Sequence, residues 1–145
     1  MKAKTDFPSI NENPPEGIKP DGGHYRVLIV DDSMFVAKQL SQILTSAGFE
    51  VADTAANGEE GLEKYKELSP NIDLVTMDIT MPKMDGITAL EKIMEFDKNA
   101  AVIMISALGK NDLVKKSLLL GAKNYIVKPL DRKKVLERVV QSLKK

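Results

Sequence analysis

Residues 26–48 read RVLIVDDSMFVAKQLSQILTSAG and predict a buried strand followed by an amphipathic helix. The run Arg26–Val30 is almost wholly apolar and rich in β-branched residues, which is typical of a strand covered on both faces in a parallel sheet. After Asp31 and Asp32, the apolar residues recur at helical spacing and form one stripe: Val36, Leu40, Ile43, Leu44 and Ala47. Gly48 then marks the end of the helix.

The same unit of a short apolar run and a helical stripe recurs four more times along the chain. The predicted strands are Glu50–Thr54, Asp73–Met77, Ala101–Ser106 and Asn124–Val127. The predicted helices carry the stripes Leu62, Tyr65 and Leu68; Ile87, Leu90, Ile93 and Met94; Leu113 to Leu120; and Val135, Leu136, Val139, Val140 and Leu143. This strict alternation predicts an α/β fold, a doubly wound, five-stranded parallel sheet with five helices.

The first 24 residues differ in composition from the rest. They contain four of the seven prolines and three of the nine glycines, with few apolar side chains. Such a segment buries too little surface to offset the entropy of ordering it. We therefore interpret residues 1–24 as a flexible N-terminal extension, with a docking arm as the alternative, and residues 25–145 as the folded domain. His24, the single histidine, falls in the extension and is a poor candidate for a catalytic base.

Composition and charge argue against several classes of function. The 21 basic residues balance the 21 acidic residues, so no bulk charge draws the chain to nucleic acid or to an anionic membrane. There is no cysteine, which excludes disulfides, thiolate metal sites and a cysteine nucleophile. No apolar run approaches the ~20 residues that span a bilayer, and the N-terminal residues lack the apolar core of a signal peptide. These features predict a cytoplasmic protein with no membrane and no nucleic-acid partner.

Polar residues stand where four of the five predicted strands end. Asp31 and Asp32 follow the first strand, and Asp78 follows the third. Ser106 closes the fourth strand, and Lys128 follows the fifth. The carboxyl ends of parallel strands share one edge of the sheet, where ligands bind in folds of this kind. Each of these residues alone could be a helix cap, a turn residue or a solvated charge.

The combination of these residues predicts phosphoryl chemistry with Mg²⁺. Three carboxylates at one edge repel each other, and a structural role in a cap does not require that cost. A hard divalent cation removes the repulsion, and Mg²⁺ combines one or two carboxylates with water and phosphate oxygens. Zinc is disfavoured, because there are no thiolates and His24 lies outside the domain. A carboxylate can then form an acyl phosphate, while Lys128 and Ser106 contact other phosphoryl oxygens.

Four motifs in this order resemble those of a known family. They are Val27–Asp32 (VLIVDD), Asp78–Pro82 (DITMP) with Asp85 and Gly86 behind it, Ile105–Ala107 (ISA) and Lys128–Pro129 (KP). Over residues 25–143 the chain resembles the receiver domain of two-component response regulators, of the stand-alone chemotaxis (CheY-like) type. The resemblance implies a flavodoxin-like sheet with the strand order 2-1-3-4-5.

The resemblance also implies roles for the residues at the sheet edge. Asp78 corresponds to the phosphoacceptor, and Lys128 corresponds to the family lysine beside it. The implied Mg²⁺ ligands are Asp31, Asp32, Asp78 and the main-chain carbonyl of Thr80. The peptide bond between Lys128 and Pro129 is expected to be cis, a form that only X–Pro bonds adopt at low cost.

A second set of residues corresponds to the switch and to its timing. The hydroxyl of Ser106 is expected to move toward the phosphoryl group, and Tyr125 to turn inward, with a half-buried core tyrosine as the alternative. Thr80 and Leu108 occupy variable positions that tune phosphoryl lifetime in the family, and the apolar Leu108 predicts slow phosphoryl loss. Among residues 118–120, three successive leucines, one is expected to be exposed as a partner contact.

The implied function is a phosphoacceptor switch, with self-phosphorylation and slow self-dephosphorylation as its only reactions. The expected partners are a histidine kinase of the chemotaxis type, the flagellar motor switch protein and, as a further candidate, a phosphatase. A phosphorelay intermediate, a receiver with another protein target and a receiver that is never phosphorylated stay open as alternatives. An Mg²⁺-dependent phosphohydrolase with an aspartyl-phosphate intermediate ranks lower, because such enzymes usually need a second acid where Thr80 stands.

Overall fold

The computed structural model describes residues 15–144, which contain five strands and five helices in strict alternation. The strands are β1 (Arg26–Val30), β2 (Glu50–Ala55), β3 (Leu74–Met77), β4 (Val102–Ser106) and β5 (Asn124–Val127). The helices are α1 (Met34–Ser46), α2 (Gly58–Leu68), α3 (Gly86–Phe96), α4 (Asn111–Leu119) and α5 (Arg132–Leu143). The first part of the predicted extension, residues 1–14, lies outside the described residues.

The strands form one parallel sheet in the order β2-β1-β3-β4-β5, which confirms the predicted fold class and strand order. All four residues of the central strand β3 are buried, as expected for a strand with helices on both faces. On one face, α1 and α5 pack against Ile29 and Ile103. On the other face, α2, α3 and α4 pack against Val75 and Met77. Because side chains alternate along each strand, every strand contributes to both cores.

Four of the five helices begin at a side-chain cap. The cap residues, each accepting a hydrogen bond from the main-chain N–H three residues later, are Ser33, Asn57, Asp85 and Asp131. At the start of α4, the side chain of Lys110 makes no such bond, so this helix begins without a side-chain cap. The longest helix, α1, has 13 residues, and in the described part of the chain no helix could cross a membrane.

Residues 15–24, hereafter the N-terminal loop, form a closed loop against the amino end of the sheet. Within it, Ile18 and His24 pair as an isolated antiparallel bridge. The Lys19 amide donates a hydrogen bond to the carbonyl of Gly23 at 2.7 Å, which closes the loop on itself. Residues 15–24 thus make regular backbone contacts, and the flexibility expected of the extension over residues 1–24 stays a prediction.

Backbone hydrogen bonds and one glycine attach the N-terminal loop to the domain. The Gly17 amide donates to the carbonyl of Ala47 at 2.8 Å, and the Gly17 carbonyl accepts from the amide of Tyr25 at 2.8 Å. A Cβ atom at Gly17 would lie 2.1 Å from the backbone nitrogen of Phe49, so no larger residue fits without a shift. These main-chain bonds and this close approach attach the loop to the domain without a large buried side chain at Gly17.

Candidate functional site

The pairing of β1 with β3 brings two carboxylates together at the carboxyl end of the sheet. Val30 pairs with Met77, so the residues that follow them, Asp31 and Asp78, leave adjacent strands at the same level. The amide of Asp78 donates a hydrogen bond to the carbonyl of Val30 at 2.9 Å, which continues the ladder one residue beyond β3. Both aspartates therefore stand on fixed backbone rather than on mobile loops.

Asp31, Asp32 and Asp78 form a compact group, hereafter the carboxylate cluster. Each offers one oxygen atom, and these oxygens all lie within 4.8 Å of one another. Asp31 and Asp78 are buried, each with 6% of its surface exposed, whereas Asp32 is exposed. The amide of Ser33 donates to Asp31 Oδ1 at 2.9 Å and holds that side chain in place. The structure thus brings together the three acids that the sequence places at this edge.

Lys128 provides the positive charge of the site. Its Nζ atom lies 3.2 Å from Asp31 Oδ2 and 3.6 Å from Asp78 Oδ1. Its amide donates to the carbonyl of Ser106 at 2.8 Å, and the peptide bond between Lys128 and Pro129 is cis. One ammonium group faces three carboxylates, so the site retains a negative charge that a divalent cation could balance.

The environment of Asp78 disfavours its charged form. Burial raises the pKa of the Asp78 carboxyl above its ordinary value, and the negative charge of Asp31 adds to this rise. The charge of Lys128 and the hydrogen bond from the amide of Ile79, 2.8 Å from Asp78 Oδ1, act in the opposite direction. An oxygen-only group of ligands with excess negative charge fits a hard cation such as Mg²⁺ and does not fit zinc or copper.

Two glycines allow helices α2 and α3 to pack closely against the backbone that follows β3. The sequence motifs alone do not predict this close packing. A Cβ atom at Gly86 would lie 1.8 Å from the carbonyl oxygen of Asp78. The Gly86 amide donates to the carbonyl of Ile79 at 2.7 Å, so α3 begins directly against the site. A Cβ atom at Gly58, the first residue of α2, would similarly lie 2.3 Å from the Met84 carbonyl. The two helices hold the loop between β3 and α3 from both sides.

A single residue, Leu108, links the two predicted switch residues. The amide of Leu108 donates to Ser106 Oγ at 3.0 Å, and the carbonyl of Leu108 accepts a hydrogen bond from the Tyr125 hydroxyl. Ser106 and Tyr125 are both buried, with 1% and 5% of their surfaces exposed. Burial raises the pKa of the Tyr125 hydroxyl, a hydrogen bond with Ser106 opposes this, and the charge of Asp78 adds to the rise. Tyr125 thus occupies an inward position.

The remaining predicted positions lie around this site. Thr80 is exposed in the loop after β3. Leu108 is half-exposed beside Ser106. In the leucine run, Leu119 is 87% exposed and Leu118 is 46% exposed, so two residues rather than one face outward.

The geometry agrees with the comparison to known families. The sequence model of the response regulator receiver domain family matches residues 27–140 of this chain. The chain belongs to this family. The receiver is 74% identical to the chemotaxis protein CheY of Treponema pallidum over 144 residues, which span 99% of this chain and 100% of the relative. It is 50% identical to the chemotaxis protein CheY of Bacillus subtilis over 119 residues, 82% of this chain and 98% of the relative.

A solved structure gives the same result for the fold. One chain of the CheX–CheY–BeF₃–Mg²⁺ complex from Borrelia burgdorferi superposes on this receiver with a TM-score of 0.90 and 65% sequence identity. The superposition covers 92% of this chain and 100% of that chain. These findings confirm the predicted family and the function of a chemotaxis response regulator, a class whose members are phosphoacceptor switches.

Proposed function

We propose that Asp78 is the phosphoacceptor and that a histidine kinase is its phosphoryl donor. One observation carries this assignment: Asp78 is a buried carboxylate at the centre of the site, 3.6 Å from Lys128 Nζ and within the carboxylate cluster. Burial and the charge of Asp31 disfavour the free carboxylate. An acyl phosphate carries still more negative charge, so phosphorylation here depends on compensation by Lys128 and a bound cation.

The two oxygens of Asp78 are not equivalent. Oδ1 accepts the hydrogen bond from the Ile79 amide and faces Lys128, whereas Oδ2 has no hydrogen-bond donor within residues 15–144. We assign Oδ2 as the nucleophile. It attacks the phosphorus of a phosphohistidine, the phosphorus–nitrogen bond breaks, and the bonding electrons leave with the imidazole, which takes a proton from solvent. The product is an acyl phosphate on Asp78.

The surrounding residues position and neutralise the transferred group. Lys128 lies where its ammonium can contact a phosphoryl oxygen, and the Ser106 hydroxyl is a candidate for a second contact. Asp31, Asp32 and Asp78, with the main-chain carbonyl of Thr80, are the proposed Mg²⁺ ligands. When bound, Mg²⁺ supplies positive charge to the oxygens of the transferring phosphoryl group.

The same contacts suggest how the signal leaves the site. Leu108 connects Ser106 to Tyr125 through its amide and its carbonyl. Movement of the Ser106 hydroxyl toward the phosphoryl group would remove the acceptor of the Leu108 amide. The loop that begins α4 must then rearrange, and α4 lacks the side-chain cap that fixes the other helices. We therefore propose the surface of α4 and β5 as the part that changes.

The exposed apolar residues of α4 and β5 support this choice of output surface. Leu118, Leu119 and Val127 are large apolar residues that face solvent on these two elements. Such groups mark protein-binding surfaces when they lie together. We propose that the flagellar motor switch protein binds here when Asp78 is phosphorylated. Because the Borrelia chain is seen in complex with CheX, we propose CheX-type proteins as further partners. A separate phosphatase stays a prediction.

Mass spectrometry after incubation with acetyl phosphate and Mg²⁺ tests the central proposal. We expect one added phosphoryl group on the wild-type chain and none on Asp78→Asn. Asp112→Asn, which changes an exposed carboxylate on α4, is the matched control and should gain the group normally. If the wild type gains nothing, the alternative of a receiver that is never phosphorylated is supported instead.

Binding to the motor switch protein tests the output separately. Beryllofluoride and Mg²⁺ should raise the affinity of the wild type, and Leu119→Ser should remove most of that gain without changing phosphorylation. Phe96→Ser replaces an exposed apolar residue on α3 and should leave binding unchanged. Phosphorylation without any such binding would favour the phosphorelay intermediate or another protein target.

The side chain of Leu108 suggests a slow loss of the phosphoryl group. It is apolar and 42% exposed beside Ser106, so it cannot hydrogen-bond an attacking water as a carboxylate could. We expect Leu108→Glu to shorten the lifetime of the acyl phosphate, measured as a time course after acetyl phosphate is removed. Leu108→Gln separates the charge from the size of the side chain. Steady turnover of a small phosphoester by the wild type would instead revive the phosphohydrolase alternative.

A further inference from the structure

A cavity of about 740 Å³ opens at the amino end of the sheet, opposite the carboxylate cluster. Its walls come from the N-terminal loop, from the residues that precede β3, β4 and β5, and from the end of α5. The length of β3 separates it from Asp78 by about 15 Å. Its volume lies in the range of sites that hold small molecules.

The cavity is lined by an excess of positive charge, and we call it the lysine cavity. Its lysines are Lys19, Lys98, Lys123 and Lys144, and its single carboxylate is Asp73. Lys19 Nζ lies 3.4 Å from Asp73 Oδ2, so this pair is satisfied. Within residues 15–144, no carboxylate lies within 4 Å of the other three ammonium groups. Four lysines against one aspartate make the lining of the cavity cationic, although the chain as a whole has no net charge.

The chemistry of the lining specifies an acceptor-rich ligand. Ammonium groups only donate hydrogen bonds, and the side-chain amide of Asn99 adds further donors. Like charges around a concave surface repel each other and focus a positive potential into it. A fold gains nothing from that repulsion, whereas a multiply charged anion would relieve it.

The floor of the cavity adds an apolar element. It includes the rings and side chains of Tyr25, Ala101 and Leu143. Lys19 Nζ lies 5.6 Å from the centre of the Tyr25 ring, so the N-terminal loop positions one ammonium group directly over this floor. A ligand with a phosphate chain and a flat apolar part would match both features.

We propose that the lysine cavity binds a small polyphosphate anion, either inorganic or the phosphate chain of a nucleotide. The ammonium groups come from the N-terminal loop, from the residues that precede β4 and β5, and from the end of α5. They therefore surround the cavity rather than form a row on the surface. A chain of linked phosphates carries several negative charges and can reach more than one of them. This site is independent of phosphorylation at Asp78.

Titration of the full chain with tripolyphosphate and with adenosine triphosphate, each without Mg²⁺, tests the proposal. Backbone amide NMR should show saturable shifts at residues 98–101, 123 and 142–144. Binding of either compound supports the proposal, and the stronger of the two identifies the source of the phosphate chain. No saturable shift at these residues with both compounds would overturn it.

Paired variants show whether the cavity or general charge is responsible. Lys98→Gln with Lys123→Gln should weaken binding about tenfold, since two surface charge contacts are lost. Lys38→Gln with Lys92→Gln removes the same charge from exposed positions on α1 and α3 and should leave the dissociation constant unchanged. All four positions are exposed, so both variants should fold. Equal weakening in the two variants would overturn the proposal.

Discussion

The two ends of the sheet are built on opposite principles. At the carboxyl end, three carboxylates share one ammonium group, and the buried Asp78 is held in an environment that disfavours its charge. At the amino end, the N-terminal loop closes on satisfied backbone hydrogen bonds and one exact fit at Gly17. At the carboxyl end, a buried charge lowers the stability of the fold and makes the site reactive. At the amino end, the main-chain contacts of the N-terminal loop add stability. Because the same strands connect the two ends, folding free energy lost at the carboxyl end can be offset by contacts at the amino end.

The largest effects should come from the glycines that permit close contact at each end. We expect Gly86→Ala and Gly17→Ala each to lower the free energy of unfolding by about 2–3 kcal/mol, because a new Cβ would meet backbone atoms. Only Gly86→Ala should also reduce phosphorylation of the folded protein, since its clash is with the Asp78 carbonyl. Gly23→Ala, where the nearest atom belongs to an exposed carboxylate, is the control.

Urea denaturation and acetyl phosphate labelling, done below the midpoint of each variant, would check this difference. If Gly17→Ala impaired labelling of the folded protein as much as Gly86→Ala, the two ends would not be functionally separate.

The next largest difference should appear between two lysines that pair with aspartates, one at each end of the sheet. Lys128→Met leaves the buried Asp31 and Asp78 without a counter-charge, and we expect it to lower the free energy of unfolding by about 2 kcal/mol without metal. Lys19→Met removes a partly exposed pair at the amino end and should cost less than about 1 kcal/mol. Chelator-treated samples in a denaturant titration would measure both, and equal losses would contradict the distinction.

Asp78→Asn should stabilise the metal-free protein by about 1 kcal/mol at neutral pH. The folded pKa of Asp78 lies above its unfolded value, so the charged carboxylate destabilises the fold at neutral pH. As the pH falls through the raised pKa, Asp78 takes up a proton and the advantage of the variant should disappear. Denaturation curves from pH 7 to pH 4 in chelator would show this convergence. An advantage that grew toward acid pH would have the wrong sign.

A small effect should arise in the middle of the strands, away from both ends. Thr76 in β3 is buried, and its hydroxyl has no hydrogen-bond partner within the described residues. Thr76→Val keeps the shape of the side chain and removes the unpaired group, so we expect a gain of about 1 kcal/mol in stability. Labelling of Asp78 and Mg²⁺ affinity should stay as in the wild type. A loss of stability would mean that the hydroxyl has a partner in solution.

The sequence predicts the carboxyl end well and the amino end poorly, for a physical reason. Asp31, Asp78 and Lys128 follow apolar runs, and the parallel sheet must bring strand ends to one edge. The runs also predict the strands to within one residue, as in β3, where the structure begins at Leu74 rather than Asp73.

The sequence contains no such apolar run that would predict the contacts of the N-terminal loop. The loop is held by main-chain hydrogen bonds, by the close approach at Gly17 and by the ion pair between Lys19 and Asp73, and none of these appears as a hydrophobic pattern. The close approach at Gly86 is similar: the motif contains the glycine, but the distance to the Asp78 carbonyl depends on the fold. The sequence does not predict the lysine cavity for a third reason, because its lysines are far apart in sequence.

The link between Ser106 and Tyr125 has an evolutionary consequence. It runs through the amide and carbonyl of Leu108, and these atoms are the same in every residue except proline, which lacks the amide hydrogen. The side chain at position 108 can therefore change, and with it the lifetime of the phosphoryl group, while the main-chain hydrogen bonds to Ser106 and Tyr125 stay the same. The lifetime of the phosphoryl group and the hydrogen bonds that join Ser106 to Tyr125 can therefore change independently in evolution. A proline at position 108 is the exception, because it would remove the amide hydrogen that Ser106 accepts.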